Sequence, residues 1–173
     1  MKKIAITGGI GTGKTYISRF FVQMGIPVFY ADEEAKKCYG MPEVIEALRT
    51  QLGEEVFTDG QLDLKKMAAC VFQHPEKRAQ INGLIHPKVM ELFETWAAQQ
   101  GTASVMMETA VLFENGLERY FDMVVVVDAP MEVRIERIKK RNPNLSEQEI
   151  RERINAQMPQ EEKCQRADIV IRN

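Results

Sequence analysis

Gly8-Gly9-Ile10-Gly11-Thr12-Gly13-Lys14-Thr15 decides how this chain is read. The stretch matches G-x-x-x-x-G-K-[ST], and each part has a chemical reason. Glycines let the backbone curl so that successive N–H groups converge on phosphate oxygens. The helix that follows adds the positive end of its dipole. Lys14 brings a mobile ammonium to the outer phosphates, and the Thr15 hydroxyl ligates Mg2+. Gly8, Gly9, Gly11, Thr12, Gly13, Lys14 and Thr15 are therefore candidate nucleotide contacts. Tyr16 is next in line through its backbone N–H.

The flanks suit a phosphate loop. Lys3–Thr7 (KIAIT) reads as a strand, and from Lys14 the residues Ile17, Phe20, Phe21 and Met24 recur at helical spacing until Gly25 stops the pattern. Further out, Ile26–Tyr30 reads as a second strand, and Asp32 opens a helix with Glu33 and Glu34 in its first turn. Residues 41–100 look helical, punctuated by Pro42, Gly53, Asp59-Gly60, Pro75 and Pro87, with no convincing buried strand. Ala103–Met107 and Met123–Val127 (MVVVV) have the continuous apolar character of strands buried on both faces. Pro130 suits the first position of a helix that runs to Arg141. Asn142-Pro143-Asn144 is a turn, Ser146 and Glu149 form a capping box, and Asp168–Ile171 is a last strand. This alternation predicts an α/β protein: a P-loop NTPase-type parallel five-stranded sheet flanked by helices. Residues 1–40 and 101–173 form the core, with a helical lid at about 138–160. Residues 41–100 are too long for a simple crossover and are read as an inserted helical substrate-binding domain.

Composition narrows the class of function. Of 173 residues, 45% are hydrophobic and 28% charged, which argues against disorder. The 23 Lys and Arg against 25 Asp and Glu give a net charge of −2, so a nucleic-acid partner is not expected. No apolar run has the length of a membrane helix, and the N-terminal stretch lacks a signal-peptide core, so neither membrane nor export is expected. Cys38, Cys70 and Cys164 are odd in number and widely spaced. They read as free thiols in a reducing cytoplasm rather than as disulfides or a zinc site.

Several residues outside the loop carry both a functional and a structural reading. Asp32, just past a strand's carboxyl end, suits a general base near the γ-phosphate and equally suits a helix N-cap. Glu108 suits a carboxylate near Mg2+, or its waters, and equally a solvated strand end. Arg134, Arg137 and Arg141, spaced i, i+3, i+7 beside Lys139 and Lys140, suit a lid that clamps phosphates. A solvated basic face explains them almost as well. His86, without metal-ligand company, reads more readily as structural.

Together these residues resemble the dephospho-CoA kinase family. The resemblance runs from Ile4 to Asn173. Thr7–Thr15 is similar to the family's TGGIGSGKS, and Gly25–Asp32 to the segment ending in D-A-D. His86-Pro87 with Val89 resembles H-P-x-[IV], and Val111–Asn115 a PLLFE-type segment. Arg137 and Arg141 match the R-x-x-x-R of the lid, and Ala167–Asn173 the AD-x-VI-x-N ending. The resemblance implies transfer of the ATP γ-phosphoryl to the ribose 3′-hydroxyl of dephospho-CoA, with ATP and dephospho-CoA as partners and Mg2+ as cofactor. It implies Asp32 as general base and Lys14, Arg137 and Arg141 as catalytic cations. It also implies acceptor contacts from Thr7, His86 and Glu114, and CoA binding by 41–100.

Three departures stand out. Tyr30 replaces the first Asp of D-A-D, and Ala110 replaces the usual Pro before Leu-Leu. The family's glycine turn and final helix beyond Asn173 are not in this sequence, so adenine contacts near that end are unassigned. A nucleoside or nucleoside-monophosphate kinase shares the same fold logic. A GTPase would need NKxD and DxxG segments, which the sequence lacks. A monomer or small homo-oligomer is expected.

Overall fold

The computed structural model describes residues 1–173, apart from the side chains of Phe72, Gln73 and Pro75. Five short apolar runs form one parallel sheet: β1 (Lys2–Thr7), β2 (Val28–Tyr30), β5 (Ser104–Glu108), β6 (Met123–Asp128) and β7 (Ile169–Arg172). Their order is β2-β5-β1-β6-β7. β1 is central, pairing Ile6 with Glu108 on one side and with Val125 on the other. Ile4, Ile6, Met106, Val125 and Val127 form the buried heart of the sheet, with Ile17, Phe21, Ile26, Val28, Met123 and Ile171 packed against them. Strands covered on both faces need no alternation of polar and apolar residues, which explains the MVVVV run.

The chain divides into two compact units, Met1–Tyr30 with Trp96–Asn173, and Ala31–Thr95. In the first, helix α1 (Lys14–Gln23) packs against β1, β2 and β5. Helices α6 (Met131–Arg141) and α7 (Glu147–Asn155) form a hairpin, and the short α8 (Gln160–Gln165) packs against β6. The hairpin has an all-isoleucine centre of Ile135, Ile138, Ile150 and Ile154, joined by Ile10, Met131 and Leu145. The Ser146 and Glu149 capping box starts α7, each side chain satisfying the other residue's backbone N–H. Asp168 ties the edge strand in place: its side chain accepts from Val124 N–H at 2.7 Å, and its own N–H donates to Val124 O at 3.0 Å.

The second unit holds α2 (Ala31–Cys38), α3 (Pro42–Leu52), a 3-10 turn (Glu54–Val56), the hairpin β3 (Phe57–Thr58) and β4 (Gln61–Leu62), α4 (Leu64–Gln73) and most of α5 (Pro75–Ala98). Two i, i+4 stripes supply much of its core. One is Val44, Leu48 and Leu52; the other is Ile81, Ile85, Val89 and Phe93.

Three local expectations differ from the structure. The boundary between units falls after Tyr30 and after Thr95, so α2, with Asp32, groups with the helical block rather than with the sheet. Asp59-Gly60, read as punctuation, is the turn of the β3–β4 hairpin. Both residues have positive φ, 50° and 77°, the type I′ requirement that Asp-Gly meets. Pro87 does not break the helix: α5 runs through it from Pro75 to Ala98.

Candidate nucleotide site and the family it defines

The loop between β1 and α1 has the tight geometry its glycines predict. Gly8 has φ +146°, and a Cβ there would strike the Val127 carbonyl oxygen. Gly11 has φ +84°, and a Cβ would lie 2.7 Å from the Arg134 backbone oxygen. Any side chain at either position would push β6 or α6 away from the loop. The Thr12 hydroxyl donates to Gly9 O at 2.9 Å and closes the curl. Lys14 Nζ donates to Gly8 O at 2.9 Å and to Gly9 O at 3.4 Å, so its ammonium lies over the loop. The Tyr16 N–H is donated to Gly13 O at 3.0 Å; its ring is exposed and pairs edge-on with Phe20.

Glu108 ends β5 beside the loop and is buried. Its carboxylate accepts from the Thr15 hydroxyl at 2.7 Å and from the Ser18 hydroxyl at 2.8 Å. That overturns the reading of Glu108 as a solvated strand end. Ser18 lies three residues after Thr15, so both hydroxyls share one face of α1. Thr15 and Glu108 thus present hard oxygen donors together, the donor chemistry Mg2+ takes. Among the described residues, no group of three or more His, Cys, Asp or Glu could hold a metal. Thr7, at the carboxyl end of β1, is fully buried, and its hydroxyl has no hydrogen-bond partner among the described residues.

The basic helix divides by position. Arg134 is buried and donates from Nε to Ile10 O at 3.0 Å. Burial pulls its guanidinium below the ordinary pKa, and Asp128 acts in the opposite sense. Arg137 donates to Thr12 O at 3.1 Å. Asn173 also reaches the loop, donating from Nδ2 to Thr12 O at 2.9 Å. Arg141 is exposed at the last turn of α6. The i, i+3, i+7 face therefore meets the loop with its first two arginines.

Glu114 holds an internal ion pair. Its carboxylate lies 2.7 Å from Lys163 Nζ, which is completely buried and also donates to Ala110 O at 2.8 Å. The Met158 N–H donates to the same Glu114 oxygen at 3.1 Å. In the second unit, Asp32 is the second residue of α2, inside the first turn rather than at a cap. His86 is half-buried on α5 immediately before Pro87, and burial pushes its pKa down.

Ser18, Gln157, Gln160, Lys163 and Asn173 contact the loop or its neighbours and carry no signal of it in the phosphate-loop motif. Ser18 has one in its spacing: i, i+3 from Thr15 sets both hydroxyls on one face of α1, while Arg134 lies on the basic face the sequence shows. Gln157 and Gln160 reach the loop across 147 and 151 residues of sequence, which no local pattern encodes.

A parallel sheet of this order, with a glycine-rich loop between its central strand and the next helix, defines the P-loop class of nucleotide-binding proteins. A family model described as dephospho-CoA kinase matches residues 2–173. A dephospho-CoA kinase of Bacteroides fragilis is 43% identical over 173 residues, covering 99% of this chain and 84% of the relative. One from Chlorobium luteolum is 40% identical over 179 residues, covering 98% and 81%. A solved structure from Thermus thermophilus superposes with a TM-score of 0.89 at 34% identity, covering 99% of this chain and 88% of that one. The Campylobacter jejuni dephospho-CoA kinase shares the fold, with a TM-score of 0.67 at 23% identity and coverage of 100% and 89%. The chain belongs to the dephospho-CoA kinase family.

Proposed function

We propose that the protein transfers the γ-phosphoryl of ATP to the ribose 3′-hydroxyl of dephospho-CoA, giving CoA and ADP. The observation that carries this reading is the match of the family along residues 2–173, joined to a complete P-loop whose Thr15 meets the Glu108 carboxylate. The Asp32 carboxylate takes the proton of the 3′-hydroxyl. The freed oxygen bonds to the γ-phosphorus as the bond to the bridging oxygen breaks, and ADP leaves with that electron pair. Lys14, Arg137 and Arg141 neutralise the charge that spreads over the moving phosphoryl group. The segment at about 138–160, the end of α6 with α7, serves as the lid that works with these arginines.

Thr15 and Glu108 would hold Mg2+, directly or through water; when bound, Mg2+ neutralises the phosphate oxygens. The orphaned Thr7 hydroxyl supports a contact with a polar group of the substrates. His86 and Glu114 are read as further acceptor contacts, and the helical unit as the CoA-binding domain. The three free cysteines suit a reducing cytoplasm, and no described helix is long and apolar enough to cross a membrane.

The test is a substrate panel. Purified protein receives Mg-ATP with dephospho-CoA, a nucleoside or a nucleoside monophosphate, and ADP release is followed. ADP release that needs dephospho-CoA is expected. Release with a nucleoside and not with dephospho-CoA overturns the reading.

A further inference from the structure

Two backbone amides near the start of the phosphate loop are claimed by the protein itself. The Gly9 N–H donates to Gln160 Oε1 at 2.9 Å, and the Ile10 N–H donates to Gln157 Oε1 at 2.8 Å. Gln160 is fixed in turn, because its Nε2 donates to Val127 O at 2.9 Å. The Ile10 carbonyl accepts from Arg134 Nε, so both backbone polar groups of Ile10 are engaged. The Ile10 side chain is packed against the isoleucine centre of the α6–α7 hairpin. The backbone and side chain of Ile10 are thus held by α6, α7 and the connection from α7 to α8.

A glycine-rich loop is costly to order, since glycine gives up more conformational freedom than other residues. Gly8, Gly9, Gly11 and Gly13 make this loop soft by composition. The amides of Gly9 and Ile10 precede α1, so they have no partner within that helix and must be satisfied elsewhere. Two side-chain carbonyls satisfy them within the first unit and fix the plane of both peptides.

We propose that Gln157 and Gln160 are positioning residues of the phosphotransfer site. Their side-chain carbonyls hold Gly9 and Ile10 in the nucleotide-ready curl and couple the loop to the α6–α7–α8 segment. The proposal rests on the kinase reading for its meaning in catalysis, while its mechanical core, preordering of the loop, is a matter of nucleotide binding alone. A group that preorders a loop lowers the cost of ordering it when nucleotide binds, so its loss falls on nucleotide affinity. Dephospho-CoA affinity has no reason to follow.

The experiment uses the full chain with Gln157→Met and Gln160→Met, each near in size to the original and lacking the acceptor. MgADP affinity is read by calorimetry, and the KM values for MgATP and dephospho-CoA by steady-state kinetics. Amide hydrogen exchange at Gly9 and Ile10 is read without nucleotide. Each variant is expected to weaken MgADP binding and raise the MgATP KM by about 5- to 10-fold, the usual scale for losing one hydrogen bond to a backbone amide. The dephospho-CoA KM is expected to stay within about 2-fold. Exchange should speed up at Ile10 in the first variant and at Gly9 in the second. Gln157→Glu keeps an acceptor for the Ile10 N–H and should retain slow exchange there. Gln160→Glu sets a carboxylate against the Val127 carbonyl and should not restore slow exchange at Gly9. Unchanged MgADP affinity, with or without a lower melting temperature, would overturn the proposal and leave the glutamines as structural groups. Because MgADP binding needs no acceptor, failure of the dephospho-CoA reaction would count against the kinase reading and not against the positioning role of the two glutamines.

Discussion

Asp32 carries the sharpest consequence of the proposed chemistry. It sits in the first turn of α2, where the helix dipole favours a carboxylate. Asp32→Asn keeps the shape and removes the base, so turnover should fall roughly 10²-fold or more while MgADP binding is preserved. Steady-state rates and calorimetry on the same preparation check both halves, and near-normal turnover would remove Asp32 from the mechanism. His86 makes a different prediction. Burial holds its pKa below the ordinary 6.5, so the folded chain resists a proton that the unfolded chain accepts. Its contribution to stability is therefore intact above about pH 7.5 and is lost as pH falls through and below about 6.5. Thermal melts of the protein and of His86→Gln, taken from pH 8 down to about pH 5.5, should show the wild-type curve falling more steeply. Parallel curves would mean that His86 is as hydrated as an unfolded histidine.

The elements were unequally legible. Apolar runs marked the core strands, with a glycine cluster closing β1, and the Ser146–Glu149 pair marked the start of α7 at Glu147. The β3–β4 hairpin was hidden, although Asp59-Gly60 names its turn, because each arm is only two residues long. Pro87 misled as punctuation, since a proline in a long helix with a buried i, i+4 stripe need not end it. The contacts of α8 lay beyond local pattern. Lys163 reads as one more charged residue in a polar stretch, yet it is fully buried against Glu114 and the Ala110 carbonyl. Lys163→Met would fill the space and strand the Glu114 charge. A fully buried pair broken from one side costs about 3–5 kcal/mol; Glu114 keeps 22% side-chain exposure, so about 2 kcal/mol is expected. That corresponds to a melting temperature about 4–8 °C lower. Differential scanning calorimetry checks it, and a shift below about 1 °C would show that the pair contributes nothing net.

At the scale of the molecule, the eight-residue loop placed the fold together with the strand before it, the helix after it and the strand–helix alternation along the rest of the chain. The overall charge of −2 says little about the site, where Lys14, Arg134 and Arg137 converge on the loop backbone. The helical unit was legible as a block too long for a crossover, while its boundary at Tyr30 was not. A boundary drawn by contacts depends on tertiary packing that helical periodicity in α2 does not reveal. The most direct measurement is to incubate the protein with Mg-ATP and dephospho-CoA and to analyse the product by mass spectrometry and phosphorus NMR. The account predicts a gain of one phosphoryl group, carried as a monoester on the ribose 3′-oxygen, with one ADP formed for each. ATP hydrolysis with dephospho-CoA unchanged, or a phosphoryl group at any other position, would contradict it.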